Sequence, residues 1–105
     1  MKIKVCQKTD IPEDTIQGFE IEGEMVLIAN VGGQLHAISD TCSHEEALLS
    51  EGEFDPETCE VMCPLHGAAF DVRTGEVLSP PAMTHVASYP ISIEGDDVYI
   101  EIEDV

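Results

Sequence analysis

Cys42-Ser43-His44 and Cys63-Pro64-Leu65-His66 form two short doublets, each joining a thiol to an imidazole, with eighteen residues between them. Thiolates and imidazoles are metal ligands, and four of them can converge on one centre when two loops lie side by side. A lone Cys is usually a small buried hydrophobe, and a lone His is usually a surface or satisfied core residue. Two doublets of matching composition make chance placement a poor account. Ligand type alone does not choose the metal, because two Cys and two His are also a structural zinc set. Zinc modules usually pair like with like, whereas each loop here supplies one of each. That mixed arrangement suits a diiron cluster in which one iron takes both thiolates and the other takes both imidazoles.

The elements that must hold these doublets read as strands. Val98, Ile100 and Ile102 alternate with Tyr99, Glu101 and Glu103, and Ile91 and Ile93 alternate with Ser92 and Glu94, giving one apolar face each. Met25 to Val31 is apolar enough for a central strand. Gly32-Gly33 separates it from Gln34–Ser39 by two residues, a hairpin signature. Glu22-Gly23, Thr74-Gly75 and Gly95-Asp96 read as further turns, and Asp55-Pro56 opens another. Helix signals are weak: Glu45 to Leu49 could form a turn, which Gly52 would end. Asp40 to Glu51, Pro64 to Ala69 and Ser79 to Ala82 do not fit as strands, so the doublets fall on loops. The pattern is that of an all-β domain of short antiparallel strands, a sandwich or small barrel.

Length and charge narrow the function. The chain has 105 residues, which suits one domain. It carries 22 acidic against 4 basic residues, a formal net charge of -18, and Arg73 is the only basic residue after Lys2, Lys4 and Lys8. Nucleic acid and anionic membrane surfaces are therefore excluded as partners. A basic patch on a protein partner would be attracted, in a salt-sensitive way. Met1 to Gln7 lacks the apolar core of a signal peptide, and the longest apolar stretch, Met25 to Ala29, is far short of the ~20 residues of a spanning helix. A cytoplasmic location is expected, with the cysteines as metal ligands or thiols rather than disulfides.

Cys63-Pro64-Leu65-His66-Gly67, followed by Phe70-Asp71, Thr74-Gly75 and Ser79-Pro80-Pro81-Ala82, resembles the Rieske [2Fe–2S] ferredoxin family. The likeness is to the ferredoxin components of multicomponent ring-hydroxylating oxygenases in particular. It covers nearly the whole chain and is most specific between Cys42 and Ala82. It implies a Rieske-like antiparallel β-sandwich or small barrel with a loop-rich cluster-binding subdomain, one domain over 1–105 with the cluster-binding region at about 40–82. It implies one [2Fe–2S] cluster, with Cys42 and Cys63 on the inner iron, His44 and His66 on the outer, and the Pro80-Pro81 loop as a third wall. It also implies a monomeric electron carrier rather than an enzyme. Such a carrier takes electrons from a flavin-dependent NAD(P)H ferredoxin reductase and passes them to a terminal non-haem iron oxygenase. The chain is too short for an oxygenase's additional domain and shows no 2-His-1-carboxylate set. Two alternatives stay open: a small Rieske-like subunit of a reductase such as nitrite reductase, and a structural zinc-binding interaction module.

The sequence departs from the Rieske proteins of respiratory cytochrome bc complexes. Ala47 and Leu65 stand where those proteins carry a disulfide, and Ala68 and Phe70 stand where a Ser and a Tyr donate hydrogen bonds to sulfur. Fewer donors, with Glu45 and Glu46 beside His44, predict a reduction potential near the low end of the Rieske range, about -150 mV. Gly67 is expected to let the backbone approach the cluster without a Cβ clash. Cys6 and Cys59 read as unligated thiols on strands, His36 as a strand residue and His85 as a non-ligand. Glu45, Glu46, Glu51 and Glu53 could form an acidic docking rim.

Overall fold

The computed structural model describes residues 2–42, 47–65, 67–79 and 84–102. Its strands form three antiparallel sheets. The first has the order β1-β11-β10, from Lys2–Gln7, Asp97–Glu101 and Ile91–Glu94. The second has the order β2-β3-β4-β9, from Thr15–Ile21, Glu24–Val31, Gln34–Ser39 and Ser88–Tyr89. The third is a run of short hairpins, β5-β6-β7-β8, from Phe54–Asp55, Glu60–Met62, Ala69–Asp71 and Val77–Ser79.

β3 explains how the layers stack. Its side chains alternate faces, and both faces are apolar. Val26 and Ile28 pack with Ile11, Val98 and Ile100 of one core. Leu27 and Ala29 pack with Ile38, Leu49, Val61 and Phe70 of another. The second sheet is thus the middle layer, with the first sheet on one side and the β5–β8 hairpins on the other. The expected central strand is observed, buried throughout from Val26 to Asn30.

The turns follow the glycine chemistry. Gly32 and Gly33 have φ of 60° and 94°, and Glu22 and Gly23 have 51° and 81°, so both hairpins turn through two left-handed residues, as tight β-hairpins require. Three expectations need adjustment. The turn expected from Glu45 to Leu49 is a 3₁₀ turn at Leu49–Glu51, with Gly52 after it; Glu45 and Glu46 lie outside the described residues. Ala69 begins β7 and Ser79 ends β8, where both were expected in loops, and the two pair with each other. Ile93, expected on an apolar face, is 41% exposed, on the edge strand of its sheet.

Candidate metal centre

Cys42 lies just past the end of β4, and Cys63 just past the end of β6. Both thiols are buried, at 4% and 3% exposure, in the same core cluster. Each loop is closed by backbone hydrogen bonds. The Cys42 N–H donates to the Ala47 carbonyl (2.9 Å), and Thr41 and Leu48 form a bridge beside it. The Cys63 N–H donates to the Ala68 carbonyl (2.7 Å), and the Gly67 N–H donates to the Cys63 carbonyl (3.1 Å). Gly67 sits at φ 75°, and no described protein atom comes within 4 Å of the place a Cβ would take. That left-handed backbone favours glycine whatever lies beside it.

The two loops are joined to each other. The Met62 N–H donates to the Glu53 carbonyl (2.8 Å), so the chain leaving the first loop runs beside the strand that enters the second. An open recess of about 450 Å³ lies there, lined by Glu51, Gly52, Glu53, Met62, Cys63, Pro64 and Gly67. Two members of the expected acidic rim line it, while Glu45 and Glu46 lie outside the described residues. So do His44, His66 and the Pro80-Pro81 loop. Among the described residues no three His, Cys, Asp or Glu side chains gather into a metal-binding group, and the described part of the site is its two thiols.

Those thiols fit an iron–sulfur centre. All four cysteines are described and none forms a disulfide. Two soft donors brought into one dry cluster on hydrogen-bonded loops are the arrangement that holds iron and sulfide. Cys6 is placed apart, on β1 in the other core, where burial, with Asp10 nearby, pushes its thiol up to about 11. Cys59 corrects an expectation: it is not on a strand. It ends the turn between β5 and β6 at φ 61°, with its Sγ 3.8 Å from the Pro56 carbonyl. The turn closes only through a left-handed residue there, and burying the thiol in the core offsets part of the strain.

The other histidines are occupied elsewhere. His85 accepts the Val77 N–H through Nδ1 (3.0 Å). The Val86 N–H donates to the Gly75 carbonyl (2.9 Å), so the chain at His85 and Val86 is tied to the β7–β8 hairpin. His36 is a β4 residue, as expected; burial lowers its pKa, helped by Arg73 and opposed by Asp71. Ala47 is buried and Leu65 is 58% exposed, so the disulfide positions of the bc-type proteins hold a small core residue and a surface one. Ala68 and Phe70 are fully buried beside the thiols.

Sequence reasoning missed Asp40, Ser50 and Gly18, and read Gly52 only as the end of a turn and not as a close approach to Met62. Asp40 is a buried carboxylate that accepts hydrogen bonds from the Ser50 N–H (2.7 Å) and hydroxyl (2.6 Å). Burial raises its pKa and the Ser50 bonds oppose the rise. Gly18, inside β2, offered a readable signal, since glycine within a strand marks a close approach of another chain segment.

The Rieske [2Fe-2S] domain model matches residues 1–90, and the chain belongs to that family. The biphenyl 2,3-dioxygenase ferredoxin component of Rhodococcus jostii (strain RHA1) is 39% identical, over 95% of this chain and 92% of its own. Among solved structures, the ferredoxin of carbazole 1,9a-dioxygenase from Nocardioides aromaticivorans IC177 superposes with TM-score 0.93 at 31% identity, covering 98% of this chain and 99% of that one. A chain in the complex of reduced oxygenase and oxidized ferredoxin of carbazole 1,9a-dioxygenase superposes with TM-score 0.87 at 33% identity, covering 97% of each. The all-β Rieske fold and the single [2Fe–2S] cluster expected from the sequence therefore stand, and the zinc alternative falls. The protein is an electron carrier, not a catalyst in its own right. No helix among the described residues is long and apolar enough to cross a membrane.

Proposed function

We propose that Cys42, His44, Cys63 and His66 hold the cluster, thiolates on the inner iron and imidazoles on the outer, in one domain over 1–105 with the binding region at about 40–82. The bound cluster supplies one-electron redox chemistry at a centre of small charge change. The chain's own residues do the rest. Cys42 and Cys63 enter from hydrogen-bonded loops, Leu27, Phe70 and their neighbours keep water from the buried side, and the chain passes from buried Cys63 to exposed Pro64 and Leu65.

The carrier takes electrons from a flavin-dependent NAD(P)H reductase and delivers them to a terminal non-haem iron oxygenase, as a monomer in the cytoplasm. The observation that carries this reading is the near-full-length likeness to a chain from a complex of oxygenase and ferredoxin. The relatives' names as dioxygenase ferredoxins favour it over the reductase-subunit alternative. Stopped-flow mixing tests it. The protein, reduced through a flavin reductase and NADH, should be reoxidised on mixing with a ring-hydroxylating oxygenase and substrate. Reduction without onward transfer to any such oxygenase would refute the role, and stable co-purification with a large reductase subunit would favour the alternative.

A further inference from the structure

The first ligand loop is closed at its neck by one residue. Asp40 is 1% exposed, and all four of its polar positions are used. Its N–H donates to the Met25 carbonyl on β3 (2.8 Å), and its carbonyl accepts the Leu49 N–H (2.7 Å). Its carboxylate takes both the N–H and the hydroxyl of Ser50. Three of these four bonds therefore reach across to the far end of the loop, and the fourth anchors the near end to the middle sheet.

The neck also has a lid. Gly18 on β2 lies against it so closely that a Cβ would overlap Asp40 Oδ2 and lie 2.6 Å from Ser50 Oγ. Gly18 is not among the residues with positive φ, so its glycine serves space and not conformation. Three elements separate in the sequence thus converge on one carboxylate: β2, the end of β4 and the 3₁₀ turn.

We propose that Asp40, locked to Ser50 beneath Gly18, is a positioning residue that sets the direction of Cys42 and so the geometry of the metal centre. The inference rests on Cys42 being a ligand. A buried carboxylate is costly unless it is hydrogen-bonded, and an apolar pair could close a loop more cheaply. What the carboxylate adds is a fixed two-point geometry. It holds the turn after the loop at one distance and one angle to the residue two before Cys42. Among the described contacts, the Thr41–Leu48 bridge and the Cys42–Ala47 bond lie between that neck and the thiol, so a slackened neck is passed on through them to Cys42.

Ser50→Ala in the cluster-loaded protein is the test, with Ser50→Thr as rescue, Gly18→Ala as an independent wedge and Val98→Ala as a control in the other core. The readouts are the rate of cluster loss to a chelator, the g-anisotropy and linewidth of the reduced EPR spectrum, and Tm. Removing a hydrogen bond to a charged group should speed cluster loss roughly tenfold or more. Ser50→Ala and Gly18→Ala should also alter the EPR line shape, and Ser50→Thr should restore it. Val98→Ala should lower Tm with no change in line shape. A Ser50→Ala protein with wild-type spectrum and loss rate overturns the proposal, as does a loss rate that simply tracks Tm across all variants. Cys42→Ala separates the two readings: loss of the cluster supports the ligand assignment, and a retained cluster overturns it whatever Ser50 does.

Discussion

Replacing Gly52 by alanine probes the joint between the loops that carry Cys42 and Cys63. Gly52 has φ of -94° and ψ of -169°, extended backbone that any residue adopts, so the substitution tests space alone. A Cβ there would overlap the Met62 carbonyl oxygen and lie 3.0 Å from its carbon and 3.3 Å from the Leu49 oxygen. These are backbone atoms, and no rotamer change relieves them. The chain must part between the 3₁₀ turn and β6, where the Met62 N–H donates to the Glu53 carbonyl. Overpacking of this kind costs about 1–3 kcal/mol, and the lost hydrogen bond adds about 1 kcal/mol. At roughly 4 °C per kcal/mol for a chain of this size, Tm should fall by about 8–16 °C. Gly23→Ala is the comparator, with φ of 81° and nothing within 4 Å. Its cost is the left-handed backbone alone, about 1 kcal/mol. Circular dichroism and visible absorbance followed together on heating would decide the matter. In Gly52→Ala the colour should bleach before the fold melts, because Gly52 lines the recess beside Cys63. In Gly23→Ala, colour and fold should go together. Equal Tm values and equal bleaching for the two variants would refute the reasoning.

Three further outcomes follow from the same structure. Burial holds His36 below its ordinary value of 6.5, so the unfolded chain takes up its proton first on acidification. Stability should therefore fall as pH drops below about 6.5 and level off once native His36 also protonates; denaturant titrations of His36→Gln between pH 7 and 5 should show a flatter dependence. The hydrogen bonds from Arg73 hold Asp71 below its ordinary 3.8. Its contribution is present above that value and disappears as pH falls through the lower native one, so Asp71→Asn should be less stable than wild type at pH 7 and converge with it in strong acid. Phe70→Tyr places a hydroxyl in the dry wall beside the thiols. If that hydroxyl favours the reduced cluster by about 1 kcal/mol, protein-film voltammetry should record a rise of about 40 mV from a wild-type potential near the low end of the Rieske range.

How much of this was legible in the sequence depended on the range of the interactions. The hairpins at Glu22-Gly23 and Gly32-Gly33 were readable because the need for left-handed backbone lies in the turn residues themselves. β3 was readable because a strand buried on both faces must be apolar at every step. The two doublets drew the eye because metal ligands are few in kind and closely spaced, and the structure describes their two thiols, buried in one core cluster. Cys59 was misread because a turn that demands a left-handed residue usually advertises it with Gly or Asn, and here core burial of the thiol substitutes. Asp40 and Ser50 were invisible: an Asp before a loop reads as solvent-exposed, and only the fold shows that β2 presses a glycine onto it. The short strands β5 to β8 have two or three residues each, too few for a period to declare itself.

Pulsed EPR of the dithionite-reduced protein carrying ¹⁵N-histidine tests the central claim most directly, because it counts the nitrogens bound to iron. The account predicts strong hyperfine coupling from two imidazole nitrogens, on a chain holding two irons and two sulfides. A reduced cluster with no nitrogen coupling, held by thiolates alone with Cys6 or Cys59 recruited, would contradict it.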